Sequence, residues 1–300
     1  MNVLITGATG LVGSEIVRQC RSKGHTVHYL TTRKSKISVD ETCKGFYWNP
    51  ANQEIDTSCL EGVSVIINLA GASISKRWTR AYKKEILESR VASIQLLCKA
   101  LKESDHQVRH FCSASALGIY PSSLSNRYRE TDLEESTSFL GKVVSAWEAE
   151  ASKVAELGIS VSLVRIGIVL AASGGALEEM AKPIKQGIGA AIGSGKQWQS
   201  WIHLSDLAGL FLHLAENHLA GIYNAVASNP VSNTEITKSL AKALDKSIFL
   251  PNVPEFAIKL VLGEMAAITL ESQYLINEKI KETGFEFQFD TLDSAFEDLF

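Results

Sequence analysis

The sequence predicts an α/β fold: a doubly wound parallel sheet with a smaller, interleaved C-terminal lobe. Three observations predict it. A short apolar run, Asn2–Thr6, meets glycines at 7, 10 and 13 and passes into a helical pattern. Apolar runs of strand length then alternate with segments of helical period as far as about residue 170, the pattern of parallel strands joined by crossover helices. Beyond residue 171 glycines crowd together (Gly174, Gly175, Gly187, Gly189, Gly193, Gly195) and the organisation changes.

Asn2–Thr6 reads as the first strand and Leu11–Lys23 as a helix, with Leu11, Ile16, Val17 and Cys20 on one face and Gly24 as its stop. Between them, Gly7 lets the strand turn sharply. Gly10 removes a side chain where backbone must approach a pyrophosphate, and Gly13 lets the helix pack close to the sheet. The helix N-terminus then offers free N–H groups and the positive end of its dipole. Gly7, Thr9, Gly10, Leu11, Val12 and Gly13 are therefore the candidate cradle of a Rossmann-type dinucleotide site.

Thr26–Thr31 reads as the second strand and Gly45–Trp48 as a short one. Val63–Leu69 is apolar almost throughout, as a strand covered on both faces must be. Thr79–Glu103 is a long helix, Val108–Ser113 a strand, Phe139–Leu157 a helix, and Ser160–Leu170 a strand rich in β-branched residues. Later, Ser205–Glu216 is helical and Gly221–Ala225 strand-like; Ser232–Leu244 and Pro254–Leu262 are helices. The expected organisation is a dinucleotide-binding domain over 1–170 and a substrate lobe over 171–300, with 203–226 returning to the first domain.

With 45% hydrophobic and 21% charged residues, the 300-residue chain can bury an ordinary core. A net charge of −3 without a basic stripe argues against nucleic acid. No apolar stretch reaches the roughly 18 residues that span a bilayer. Cys20, Cys43, Cys59, Cys98 and Cys112 form no Cys-x-x-Cys pair and read as reduced thiols, and no histidine spacing suits a metal. The glycine motif begins so early that no targeting segment is expected, which points to the cytoplasm.

The end of strand 2 distinguishes the two nicotinamide dinucleotides. An acid there holds the ribose 2′-hydroxyl of NAD. This chain has Thr31-Thr32-Arg33-Lys34 instead. A guanidinium at Arg33 and a hydroxyl at Thr32 suit a 2′-phosphate, so NADP(H) is the expected cofactor.

In combination these motifs resemble the extended short-chain dehydrogenase/reductase superfamily, in its NAD-dependent epimerase/dehydratase branch. The similarity is greatest to an atypical family of sugar-nucleotide-epimerase-like proteins that bind NADP(H). It rests on Thr6–Gly13, Thr32-Arg33, Asn68-Leu69-Ala70-Gly71, Arg77-Trp78, Lys84-Glu85, Ser89-Arg90, Trp147-Glu148, Arg165-x-Gly167-x-x-Leu170, Gly193-Ser194-Gly195 and Trp201-Ile202-His203-x-x-Asp206. Gly189-Ala190-Ala191 departs from the Gly-Gly-Pro common in that family. Leu69, Ala70 and Gly71 end a strand at the carboxyl edge, where such sheets bind ligands. The resemblance further implies cofactor contacts from Glu85, Arg90 and Val169. His203 and Asp206 are expected to be structural, with Ser205 or Asp206 capping a helix.

Reductases of this superfamily use Tyr-x-x-x-Lys with an upstream Ser or Thr. None of the seven tyrosines here has Lys four residues on. Lys142 is present, but Ser138 stands four before it. Ser115, with Ser113 as the alternative, matches the upstream Ser, and Tyr120 follows it. One reading has Ser115 bind a substrate carbonyl or hydroxyl while Tyr120 or Lys142 supplies the proton. The other has Ser115 touch only the nicotinamide and Tyr120 pack before Pro121. The expected activity is NADP(H)-dependent oxidoreduction or epimerase-like chemistry on a small carbonyl or sugar-type substrate; the alternative is a non-catalytic NADP(H)-binding sensor or scaffold. The chain is expected to be a monomer or a homodimer, with pairing through Thr79–Glu103 and Phe139–Leu157 suggested by analogy.

Overall fold

The computed structural model describes residues 1–38 and 40–300. β1 (Asn2–Thr6) turns at Gly7 into α1 (Leu11–Ser22). β2 (Thr26–Thr31), β3 (Cys43–Asn49), β4 (Glu54–Ile55) and β5 (Val65–Asn68) follow. Next come α2 (Arg80–Glu103), β6 (His110–Ala116), β7 (Arg127–Tyr128), α3 (Phe139–Ser152) and β8 (Ser160–Ile166).

Together with β12 (Gly221–Ala225), all of these strands except β7 build an eight-stranded sheet in the order β12-β8-β6-β5-β1-β2-β3-β4. Its strands run parallel except for the short edge strand β4, which is antiparallel to β3. The central residues Val3, Leu4, Ile5, Val65, Ile66, Ile67 and Phe111 are buried, as expected of strands covered on both faces. The order reverses between β1 and β5, which opens a crevice at their carboxyl ends.

The sequence segment Ser160–Leu170 is two strands, not one. β8 ends at Ile166, and β9 (Ile168–Leu170) leaves the sheet to pair with β11 (Trp201–His203). Gly167 makes the crossing: a Cβ there would lie 2.4 Å from the Ser200 carbonyl oxygen. α5 (Leu204–Glu216) then packs against α1 and delivers the chain to β12 at the sheet's edge. Its cap is His203, whose Nδ1 accepts from the Ser205 N–H at 3.2 Å, rather than Ser205 or Asp206. The Asp206 carboxylate instead accepts from the N–H groups of Gln288 and Phe289.

The glycine-rich stretch contains one further helix, α4 (Gly175–Lys185), and a strand, β10 (Trp198–Gln199). β13 (Val231–Ser232) pairs with β10 and leads into α6 (Asn233–Ala243), which opens with a capping box between Ser232 and Glu235. α7 (Glu255–Leu262), α8 (Ala267–Leu270), β14 (Tyr274–Leu275), α9 (Glu278–Glu282) and α10 (Leu292–Leu299) complete the chain. Leu170, Leu177, Trp201, Ile236, Leu240 and Phe296 form a second core beneath this lobe. All five cysteines are free thiols. Among the described residues, no helix is long and apolar enough to cross a membrane.

Candidate active site

The crevice between β1 and β5 is built from backbone. Gly7 adopts φ +69°, and a Cβ there would meet the Leu69 carbonyl at 3.1 Å. A Cβ on Gly13 would lie 2.2 Å from the Gly7 carbonyl oxygen, so α1 can start this close only with glycine there. Gly10 precedes the helix with extended backbone; no side chain caps it, and no acid stands in the first turn. The leading N–H groups of Leu11, Val12 and Gly13 are thus left for an anion. Thr9 and Gly10 are exposed at this opening. The fit to a dinucleotide pyrophosphate is good: a tight glycine turn, uncapped donors and no competing carboxylate.

The opposite wall is pinned by Thr6. Its Oγ1 accepts from the N–H groups of Leu69 (2.9 Å) and Ala70 (3.0 Å) and donates to Asn68 Oδ1 (2.8 Å). Beyond Gly71, Ser89 Oγ accepts from Ala72 N–H at 2.9 Å, and Arg90 Nη1 donates to the Ala72 carbonyl at 3.1 Å. The Arg90 guanidinium lies over the Trp147 ring, 5.0 Å from its centre, and burial lowers its pKa to about 10. Arg90 thus shapes the Ala70–Ala72 backbone from behind, while Glu85 projects from α2 into solvent. Val169 is half-buried in β9; a Cβ on Gly175 would touch Leu11 Cδ2 at 3.1 Å and approach the Val169 carbonyl, which puts Leu11 and Val169 in one neighbourhood.

At the end of β2, Thr32 and Arg33 are exposed, and no carboxylate follows the strand until Asp40. Arg33 N–H donates to Thr31 Oγ1 at 3.2 Å, and Lys34 lies over the Tyr47 ring, 5.0 Å from its centre.

Ser115 ends β6 within a buried polar chain. Its hydroxyl donates to Glu148 Oε1. Arg165 Nε and Nη2 donate to the two oxygens of Glu148, each at 2.9 Å, and Nη1 donates to the Tyr120 hydroxyl at 2.8 Å. The Tyr120 hydroxyl in turn donates to Asn224 Oδ1 at 2.9 Å. Burial opposes the charge on Arg165, but the paired Glu148 carboxylate and Tyr120 hold its pKa above the ordinary arginine value. Tyr120 is 1% exposed, and burial pushes its pKa up to about 12. The Arg129 carbonyl is a second acceptor within 3.2 Å of this hydroxyl, so of the two readings of Tyr120 this enclosed placement suits the packed one better than the proton donor. Ser113 lies deeper in the same strand, at 0% exposure.

Lys142 does not join this chain; it is exposed on α3. Ser138, four residues before it, is the α3 cap: its Oγ accepts from Gly141 N–H at 3.2 Å. The place a tyrosine would take in Tyr-x-x-x-Lys is therefore occupied by a helix-capping hydroxyl. Beside it, Phe139 meets the edge of Trp78, with ring centres 5.0 Å apart, and the Lys83 ammonium lies 4.9 Å from the Phe139 ring centre.

Lys83 also joins the two parts of the molecule: its Nζ is 2.6 Å from Glu264 Oε2. Glu264 lines a cavity of about 500 Å³ with Ser122, Glu255, Lys259, Leu270 and Glu271, between the segment after β6 and helices α7 and α8. Burial raises the pKa of Glu271 in that wall. Among the described residues no cluster of His, Cys, Asp and Glu has metal-binding geometry.

Thr6, Glu148 and Asn224 were not singled out for a role from sequence. The signal for Glu148 was there: it shares the buried side of α3 with Val144, Trp147 and Ala151, where a carboxylate requires a partner. Arg165, inside an apolar strand, is that partner.

The pattern of the NAD dependent epimerase/dehydratase family matches residues 3–225, and a domain of unknown function, DUF1731, matches residues 253–299. An epimerase family protein of Staphylococcus aureus is 37% identical over 300 residues, covering 99% of this chain and 98% of its own. The crystal structure of the human epimerase family protein SDR39U1 (isoform 2), solved with NADPH, aligns with a TM-score of 0.87 at 29% identity, over 100% of this chain and 99% of that one. A nucleoside-diphosphate sugar epimerase from Corynebacterium glutamicum aligns with a TM-score of 0.78 at 28% identity, over 98% of this chain and 57% of its own.

Proposed function

The chain belongs to the NAD-dependent epimerase/dehydratase family, and we propose that it is an NADP(H)-dependent oxidoreductase or epimerase-like enzyme acting on a small carbonyl or sugar-type substrate. The observation that carries this reading is the crevice between β1 and β5: an uncapped helix N-terminus behind Gly7, Gly10 and Gly13, with Arg33 rather than an acid after β2. The human relative solved with NADPH supports the same choice of cofactor. Sugar epimerases that recycle a hydride on tightly held NAD have no use for such an arginine, so reduction or oxidation of a free substrate is favoured.

Bound nicotinamide would supply hydride chemistry; the chain's own residues bind and orient. Gly7–Gly13 would hold the pyrophosphate and Thr32 and Arg33 the 2′-phosphate, while Leu69, Ala70, Gly71 and Val169 would form the walls, with Arg90 bracing them from behind and Glu85 approaching the cofactor from the solvent side. Ser115 is our candidate for contact with the substrate or nicotinamide. Because its proton is given to Glu148, it presents lone pairs, which suit a hydroxyl or a carboxamide N–H₂. Tyr120 positions Arg165, and Lys142, exposed on α3, is the remaining candidate for supplying the proton.

A second reading, a non-catalytic NADP(H)-binding sensor or scaffold, is favoured by Ser138 occupying the place of the usual tyrosine and by the enclosure of Tyr120. An isotope trace separates the two. NADPH deuterated at nicotinamide C4, on each face in turn, is incubated with the protein and a small-metabolite extract. Protein-dependent deuterium in a metabolite is the expected result. Its absence, with NADPH binding confirmed in the same sample, favours the sensor.

A further inference from the structure

Helix α7 lies on the surface with nothing covering it. Six of its eight residues are apolar (Phe256, Ala257, Ile258, Leu260, Val261 and Leu262), yet none is buried. Phe256 is 74% exposed, Leu260 84% and Val261 79%. Phe249 and Leu250 just before the helix, and Ile268 just after it, are exposed as well. Among the described residues, the other exposed large apolar side chains are spread along the chain at Ile37, Leu124, Leu133, Ile188 and Phe300. A concentration of this kind, on the order of several hundred Å², marks an association surface rather than the scatter normal on a monomer.

The charges beside it indicate what covers it. Phe256 and Leu260 stand one turn apart and form an apolar stripe. Glu255 and Lys259 run along one edge of that stripe with opposite charge, their own ion pair exposed at 3.3 Å. When two copies of such a helix pack antiparallel about a two-fold axis, this edge faces itself in reverse. Glu255 then meets Lys259 of the second copy, Lys259 meets its Glu255, and the Phe256–Leu260 stripes interdigitate. A self-complementary edge is what an isologous contact requires. The long helices offer no exposed apolar stripe beside their charges: α2 has the exposed pair Lys84–Glu88, but the large side chains it turns outward, such as Glu85 and Lys99, are polar or charged, and α3 exposes Lys142 and the small Ala149.

We propose that α7 is the centre of a homodimer interface in which a second copy of this chain packs antiparallel against the Phe256–Leu260 stripe. The proposal does not depend on the cofactor or on turnover.

Sedimentation equilibrium of the full chain over a concentration series tests it. The wild type is expected to dimerise. Leu260→Asp, at an exposed position that folding does not need, is expected to weaken the dimer by about 100-fold or more. Lys259→Glu places acids opposite acids and is expected to weaken it by about tenfold or more. The double variant Glu255→Lys/Lys259→Glu restores opposite charges across the axis and is expected to recover most of that loss. Thermal melting of each variant confirms folding. A wild type that stays monomeric throughout overturns the proposal, whether or not it binds neutral phospholipid vesicles. So does a dimer that Leu260→Asp leaves intact, or a charge reversal that fails to rescue.

Discussion

The Arg165 guanidinium meets the Glu148 carboxylate through two parallel hydrogen bonds, Nε to Oε1 and Nη2 to Oε2, each 2.9 Å long. Both side chains are largely out of water, 7% and 11% exposed. The pair joins β8 to α3, and through Ser115 and Tyr120 it reaches β6 and β12. Glu148→Ala leaves a buried guanidinium without its counter-charge and is expected to cost about 3–5 kcal/mol. Pairing it with Arg165→Met, which removes the charge as well, is expected to cost clearly less than the two single changes summed. Urea denaturation of the four proteins measures this; additivity would mean that the pair is not coupled.

The proposed pyrophosphate cradle depends on two glycines for different reasons. Gly13→Ala drives a methyl to 2.2 Å from the Gly7 carbonyl, backbone against backbone, so α1 must move off the sheet. Gly7→Ala adds the left-handed strain of φ +69°, about 1–2 kcal/mol. Gly13→Ala is expected to abolish measurable NADPH binding and to lower the melting temperature, whereas Gly24→Ala, at positive φ like Gly7 but with open space around it, is expected to leave NADPH binding unchanged. Fluorescence titration with NADPH and thermal melting check both. Full binding by Gly13→Ala would remove the cradle from that loop.

Much of this fold was legible because its periodicities are strong. Asn2–Thr6, the glycine triad and the helix after it stand where the sequence placed them, since turn, cap and packing all depend on local residue type. Gly167 marks the first failure. A β-branched run from 160 to 170 reads as one strand, and only the close approach of the Ser200 carbonyl, contributed from far along the chain, shows why it must break. α4 was hidden by its glycines and by Pro183 within it. At the site, the missing tyrosine was visible as an absent spacing. The use made of Tyr120 was not, because Arg165 and Asn224 reach it across the sheet from 45 and 104 residues away in sequence.

Arg33 should decide between the two dinucleotides. It is exposed after β2 and faces no acid near that strand end. A charge-assisted hydrogen bond to a 2′-phosphate contributes about 1.5–3 kcal/mol, so Arg33→Ala is expected to weaken NADPH binding by about 10- to 100-fold. NADH, which lacks that phosphate, should bind the variant and the wild type alike. Parallel titrations with both nucleotides measure it. Equal affinity of the wild type for NADPH and NADH would overturn the cofactor assignment.

His110 gives the fold an acid-sensitive joint at the opposite end of β6 from Ser115. Its ring is buried, with Nε2 2.9 Å from Ser162 Oγ and the His218 ring edge-on at 5.7 Å. Burial, helped by the nearby His218, lowers its pKa from 6.5 to about 4. The folded value lies below the unfolded one, so between them the unfolded chain binds more protons. The stability that neutral His110 contributes is complete above about pH 6.5 and is lost as pH falls toward about 4. His110→Gln keeps a hydrogen-bonding group but cannot take the proton. It is expected to be less stable than the wild type at neutral pH, where the imidazole packs better, and to lose less stability between neutral pH and the lower end of that window. Urea midpoints of the two proteins across the window measure the difference, and parallel loss in both would locate the acid sensitivity elsewhere.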